Sequence, residues 1–104
     1  MISSARRGDM IKIGLDTVLV RGSEHVETKM VGQTVMMSIA RGKYFALDGT
    51  GQCIWECLAE PVSIGQIIER LLDQFEVDRE QCETEVISFL NEMMENGLTK
   101  EHGG

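Results

Sequence analysis

The hydrophobic period of this chain changes once, near residue 48, from about two residues to about 3.6, and the change divides a strand-forming half from a helix-forming half. Between Thr17 and Leu47 the composition is β-branched and alternating, which predicts short strands at Thr17–Arg21, Val26–Val31, Thr34–Ile39 and Lys43–Leu47. Gly32-Gln33 and Arg41-Gly42 each stand between two such runs at hairpin spacing. The last three strands are therefore expected to form an antiparallel meander.

Beyond Leu47, Asp48-Gly49-Thr50 offers side-chain acceptors suited to capping a helix start, and a first helix is expected over Gly51–Ala59. It must stop before Pro61, because the residue preceding proline is pushed out of the α region. Ser63 then caps a second helix, Ile64–Phe75. Its Ile64, Ile67, Ile68, Leu71, Leu72 and Phe75 form one stripe at helical spacing, and that stripe is core. Asp78 is the expected N-cap of a third helix, Arg79–Asn96, which Gly97 ends. Together these elements predict an α+β, winged helix-turn-helix-like fold: a small antiparallel sheet of three to four strands followed by three helices.

With 104 residues the chain has room for a single core. Residues 1–16 are weakly patterned and read as a flexible N-terminal arm, 17–100 as the folded domain and 101–104 as a disordered tail. No apolar run is long enough for a membrane span, and MISSARRGDM lacks the apolar stretch of a signal peptide, so a cytoplasmic location is expected. Cys53, Cys57 and Cys82 are an odd number without a CxxC pair, which favours reduced thiols.

Charge is more informative split than summed. Residues 1–48 carry seven basic and five acidic side chains, or +2, and residues 49–104 carry three and twelve, or −9, giving the net −7. The third helix alone bears Glu80, Glu83, Glu85, Glu92 and Glu95 against one base, Arg79. A DNA-reading helix needs cations to neutralise phosphates, so nucleic acid is not the expected partner.

On a helical wheel Cys82, Val86, Phe89, Leu90 and Met93 of the third helix fall in one core-facing arc. Ile87 and Met94, one heptad apart, lie outside that arc and widen the apolar face, with Leu98 continuing the same side. The face is either buried against the sheet or left as a hydrophobic groove.

No catalytic or cofactor pattern emerges. Cys53 and Cys57 at i, i+4 supply only two ligands of the four that zinc requires, and the two histidines, His25 and His102, lie far apart in expected loop or tail regions. The glycines of Gly49-Thr50-Gly51 match neither a G-x-G-x-x-G nor a Walker pattern. The expectation is a binding module that is not an enzyme and holds neither cofactor nor metal.

From Gly42 to Leu98 the chain resembles the PqqD family. The resemblance rests on Gly42-Lys43-Tyr44-Phe45-Ala46-Leu47-Asp48-Gly49-Thr50-Gly51, then Ile54-Trp55, the Val62–Phe75 segment, Val86, Phe89, Leu90 and Gly97-Leu98. The upstream Val18-Leu19-Val20-Arg21 is similar to stand-alone members found in lasso-peptide gene clusters. The resemblance implies a recognition element for ribosomally synthesised and post-translationally modified peptides (RiPPs). Such a domain binds the leader of a precursor peptide and presents it to a separate leader peptidase or other maturation enzyme.

In that family the leader adds as a strand to the last strand of the sheet and fills a cleft against the third helix. Carried over, this implies Lys43, Tyr44, Phe45, Ala46 and Leu47 on the strand, and Glu83, Ile87, Asn91 and Met94 on the helix. Main-chain bonds along an open edge supply affinity, and pockets for alternate side chains supply specificity. The alternatives are a PqqD-like peptide chaperone in pyrroloquinoline quinone or other RiPP synthesis, a helix-turn-helix DNA-binding regulator, and an enzyme using Cys82 or the Cys53/Cys57 pair.

Overall fold

The computed structural model describes residues 13–23 and 25–103. Its elements run β1 (Val18–Arg21), β2 (His25–Met30), β3 (Gln33–Ser38), β4 (Lys43–Asp48), α1 (Gly49–Cys57), β5 (Val62–Ser63), α2 (Ile64–Gln74), α3 (Arg79–Glu95) and β6 (Thr99–Glu101). Of the expected N-terminal arm, residues 1–12 lie outside the described residues, while Ile13 packs against the core. At the other end Glu101, read from the sequence as the start of a tail, is the last residue of β6, and the His102 amide donates to the Val18 carbonyl at 2.8 Å.

The meander forms as expected: β2, β3 and β4 make one antiparallel sheet with β3 in the centre. The β2–β3 turn is Val31-Gly32 rather than Gly32-Gln33, because Gln33 already pairs with Met30. The first strand does not join this sheet. It lies between β5 and β6 in a second three-stranded antiparallel sheet, fastened to the segments that flank the helices. Strands of two and three residues carry no readable alternation, so β5 and β6 had no signal in the sequence.

Each helix starts for a local reason. Asp48 sits at the N-cap of α1, where its side chain makes no capping bond, and the helix begins two residues earlier than expected, at Gly49. Ser63 caps α2 in a reciprocal box, its hydroxyl accepting from the Gln66 amide at 3.1 Å while Gln66 Oε1 accepts from the Ser63 amide at 2.9 Å. Asp78 accepts from the Gln81 amide at 3.1 Å to cap α3. At the far end of α3, Gly97 takes φ +74°, and the amides of Leu98 and Gly97 donate to the carbonyls of Met93 and Met94, a Schellman closure that favours glycine.

The core lies where these elements converge. Leu19 of β1, Met36 of β3 and Leu47 of β4 meet Ile54, Trp55 and Leu58 near α1, Ile64, Ile67, Ile68 and Leu71 of α2, and Val86, Leu90 and Met93 of α3. Fully burying an aliphatic side chain of this size contributes about 1.5–3 kcal/mol. Of the three helices α1 packs on β4 and β3, while the C-terminal end of α3 is held against the end of β3: the Ser38 hydroxyl donates to the Asn96 carbonyl at 2.6 Å.

Candidate functional site

Among the described residues both outer strands of the meander have an edge without a neighbour in the sheet, and their inner rows differ in chemistry. Register places His25, Glu27 and Lys29 of β2 across from Ser38, Met36 and Thr34, and places Lys43, Phe45 and Leu47 of β4 on the other side of the same three residues. All three β3 residues are buried, so both sets flank the inner face. On β2 that row is charged and engaged. Glu27 accepts from His25 Nε2 at 3.1 Å and from the Trp55 indole N–H at 3.5 Å, and Lys29 pairs with Glu56 at 3.5 Å.

The His25 ring stands edge-on to Trp55 at 5.2 Å, and the Arg21 guanidinium covers the same indole at 4.4 Å. Burial opposes ionisation of Glu27, but the hydrogen bonds from His25 and Trp55, with the charge of Arg21, outweigh it and hold the carboxyl below its ordinary value. Inward-pointing charges of this kind blunt an edge against strand pairing.

The inner row of β4 carries two apolar side chains: Leu47 is buried and Phe45 half-buried against the core. Tyr44 and Ala46 point to the outer face and are exposed, as is Lys43 beside the hairpin turn. The structure therefore brings the five expected β4 residues together along one open edge whose core side is greasy.

The four expected α3 residues divide. Ile87 and Met94 are half-buried and pack on the margin of the core cluster. Ile87 and Asn91 share a wide shallow surface of about 640 Å³ with Thr84, Ser88, Glu92 and Glu95. Glu83 is held by an ion pair with Arg79 at 3.6 Å. A more enclosed depression of about 510 Å³ opens on the other flank of α3, between Val86 and Phe89, the first turn of α1 and the end of α2. Phe89 reaches toward β4 there: an added Cβ on Gly51 would touch Leu47 at 3.7 Å and the Phe89 ring at 3.9 Å.

Sequence reasoning placed Phe89, Val86 and Cys82 in the core and so missed this depression. The helical wheel gives the direction of a side chain but not the point at which its neighbours stop. Gly51 was the available signal, a residue without a side chain in the first turn of a helix.

Burial, and then the carboxylates of Glu85 and Glu83, push the Cys82 thiol up; burial, and then Cys57, do the same for Cys53. Thiols held protonated are poor nucleophiles. Among the described residues no group of three or more His, Cys, Asp or Glu is placed to hold a metal ion, and no helix is long and apolar enough to cross a membrane.

The family model described as Coenzyme PQQ synthesis protein D (PqqD) matches residues 33–98, from the start of β3 to the residue before β6. Two solved structures are similar. One, "TbiB1 in Complex with the TbiA(beta) Leader Peptide", is 25% identical with a TM-score of 0.69, the match covering 82% of this chain and 96% of that one. The other, "Lasso peptide synthetase B1 complexed with the leader peptide", is 21% identical with a TM-score of 0.67, covering 79% and 96%, and shares the fold. No curated protein matches the sequence.

Proposed function

From the chain's membership of the PqqD family, we propose that it binds the leader region of a ribosomally synthesised precursor peptide and delivers it to a separate maturation enzyme, a leader peptidase of lasso-peptide biosynthesis. Residues 17–100 form the binding unit. The observation that carries this reading is the asymmetry of the meander: β2 turns charged, engaged side chains inward, whereas the open edge of β4 is backed by Phe45 and Leu47. A fourth strand added there gains main-chain hydrogen bonds and an apolar floor at once.

The leader-peptide complexes among the similar structures support the same class of ligand. The five carboxylates of the α3 segment favour a peptide carrying Lys or Arg over a phosphate backbone. Lys43–Leu47 supply the pairing edge, and Ile87, Asn91, Met94 and Glu83 belong to the helix beside it. Binding requires neither catalysis nor a cofactor from this chain.

The test is a fluorescence-anisotropy titration with labelled N-terminal segments of short peptides encoded by genes neighbouring this one. Saturable binding in the micromolar range or tighter is expected. N-methylating alternate main-chain amides of that peptide should abolish it in one phase of the alternation and spare it in the other. A leader that does not saturate, or one indifferent to N-methylation, overturns the reading.

A further inference from the structure

The outer face of the meander is turned away from the core. Its side chains are those that alternate with the buried Thr34, Met36 and Ser38 of β3. Val26, Met37 and Tyr44 form one row across the three strands, and Thr28, Val35 and Ala46 form the next. The last row runs from Met30 to Asp48, the one charge in these rows.

Val26 and Met30 are each 54% exposed and Tyr44 is 73% exposed, while Val31 and Ile39 stand in water at the two hairpin turns. These are five of the seven large apolar side chains exposed among the described residues. Single exposed apolar side chains need no explanation, but several gathered on one face mark a surface that another protein covers.

Charge selects the partner. Residues 25–48 carry Lys29, Arg41 and Lys43 against Glu27 and Asp48, or +1, whereas residues 49–104 carry −9. Two copies meeting through their helices would set carboxylate against carboxylate, and through the meander they do not. The charges also lie at opposite ends of the sheet, Asp48 beside the β2–β3 turn and Arg41 with Lys43 at the β3–β4 hairpin. A two-fold axis between the faces, running across the strands, lays each Asp48 end over the cationic end of the other copy.

Area points the same way. The accessible surface is 6478 Å². Each partner in a standard interface commits roughly a tenth of its surface, here about 650 Å². Five apolar side chains more than half exposed, with the half-buried Val35 and Met37 among them, supply an area of that order.

We propose that the outer face of the meander is the interface of a homodimer, two copies stacked sheet against sheet. The two sheets lie about 10 Å apart with their side chains interdigitated. This pairing is separate from strand addition. It uses side chains on the face, whereas the edge of β4 offers main-chain groups and stays open in both copies.

The experiment is sedimentation velocity on the full chain over about 1–200 μM, without any peptide. The mass is expected to rise from the 11.6 kDa of one chain toward twice that value. Thr28→Lys and, separately, Val26→Lys put a charge into the face at exposed positions. Both are expected to keep the wild-type circular-dichroism spectrum and to hold the single-chain mass throughout.

A wild type that keeps the single-chain mass at the top of that range overturns the proposal, as does a dimer unmoved by both lysine variants. A monomeric wild type in which Thr28→Lys instead abolishes capture of a processing enzyme assigns the face to that enzyme and overturns the pairing too. Peptide affinity measured on Thr28→Lys separates this interface from the β4 edge. Unchanged affinity in the monomeric variant is expected, and its loss would overturn the separation of the two surfaces.

Discussion

The Ser38 hydroxyl donates to the main-chain carbonyl of Asn96 at 2.6 Å, tying the last residue of β3 to the C-cap of α3. The same oxygen accepts from the Arg41 amide at 3.2 Å, so one buried side chain sets both the β3–β4 turn and the spacing between sheet and helix. Ser38→Ala leaves two main-chain groups short of a partner. A loss of about 1–3 kcal/mol is expected in urea unfolding. Leader affinity should fall as well, because the strand and the helix flanking the cleft are no longer held in register.

Gly22 lies where the chain leaves β1 and passes the end of α3. Its amide donates to the Leu98 carbonyl at 2.9 Å, and a Cβ built on it would stand 2.7 Å from the Gly97 carbonyl oxygen. That oxygen is backbone and cannot swing aside. Gly22→Ala is expected to cost about 2 kcal/mol or more, visible as a lower midpoint in thermal unfolding.

Arg21 joins the two sheets through Trp55. Its Nε and Nη2 both donate to the Trp55 carbonyl, at 3.2 and 3.0 Å, while the guanidinium plane covers the indole. Lysine keeps the charge but lacks the fork and the flat face. Arg21→Lys should destabilise by about 1–2 kcal/mol and shift the emission of the single tryptophan.

The Glu27 carboxyl has a folded-state pKa below its unfolded one. Its contribution is therefore complete above the unfolded pKa and is lost as pH falls through the folded value. Wild type should lose stability relative to Glu27→Gln on acidification below about pH 4.5. Equal pH profiles for the two proteins would contradict the arrangement around Trp55.

Phe45→Lys puts a charge in the middle of the inner row of β4, across Met36 from Glu27 of β2. Leader affinity should drop by about tenfold or more with the helical circular-dichroism signal retained, whereas Thr28→Lys on the outer face of β2 should leave affinity unchanged.

What could be read from the sequence was local. The stripe of Ile64, Ile67, Ile68 and Leu71 fixed α2, and the run Lys43–Leu47 marked a strand, because each pattern lies within one element. The second sheet was invisible: its pairs join Leu19 to Val62 and to Glu101 across long separations, through strands too short to show a period. The same distance hid the cluster of Arg21, His25, Glu27 and Trp55, whose members sit on three elements. The depression beside Phe89 depends on where side chains of three separate helices stop, which no pattern within one element encodes.

The unequal edges of the meander also govern stoichiometry. A sheet receptive on both sides would admit a second ligand, or another copy of the same protein, and could grow by repeated addition into an open-ended array. With β2 blunted by His25, Glu27 and Lys29, an incoming strand at β4 is terminal. On the proposed reading one peptide binds per protein, and its strand covers the edge of β4.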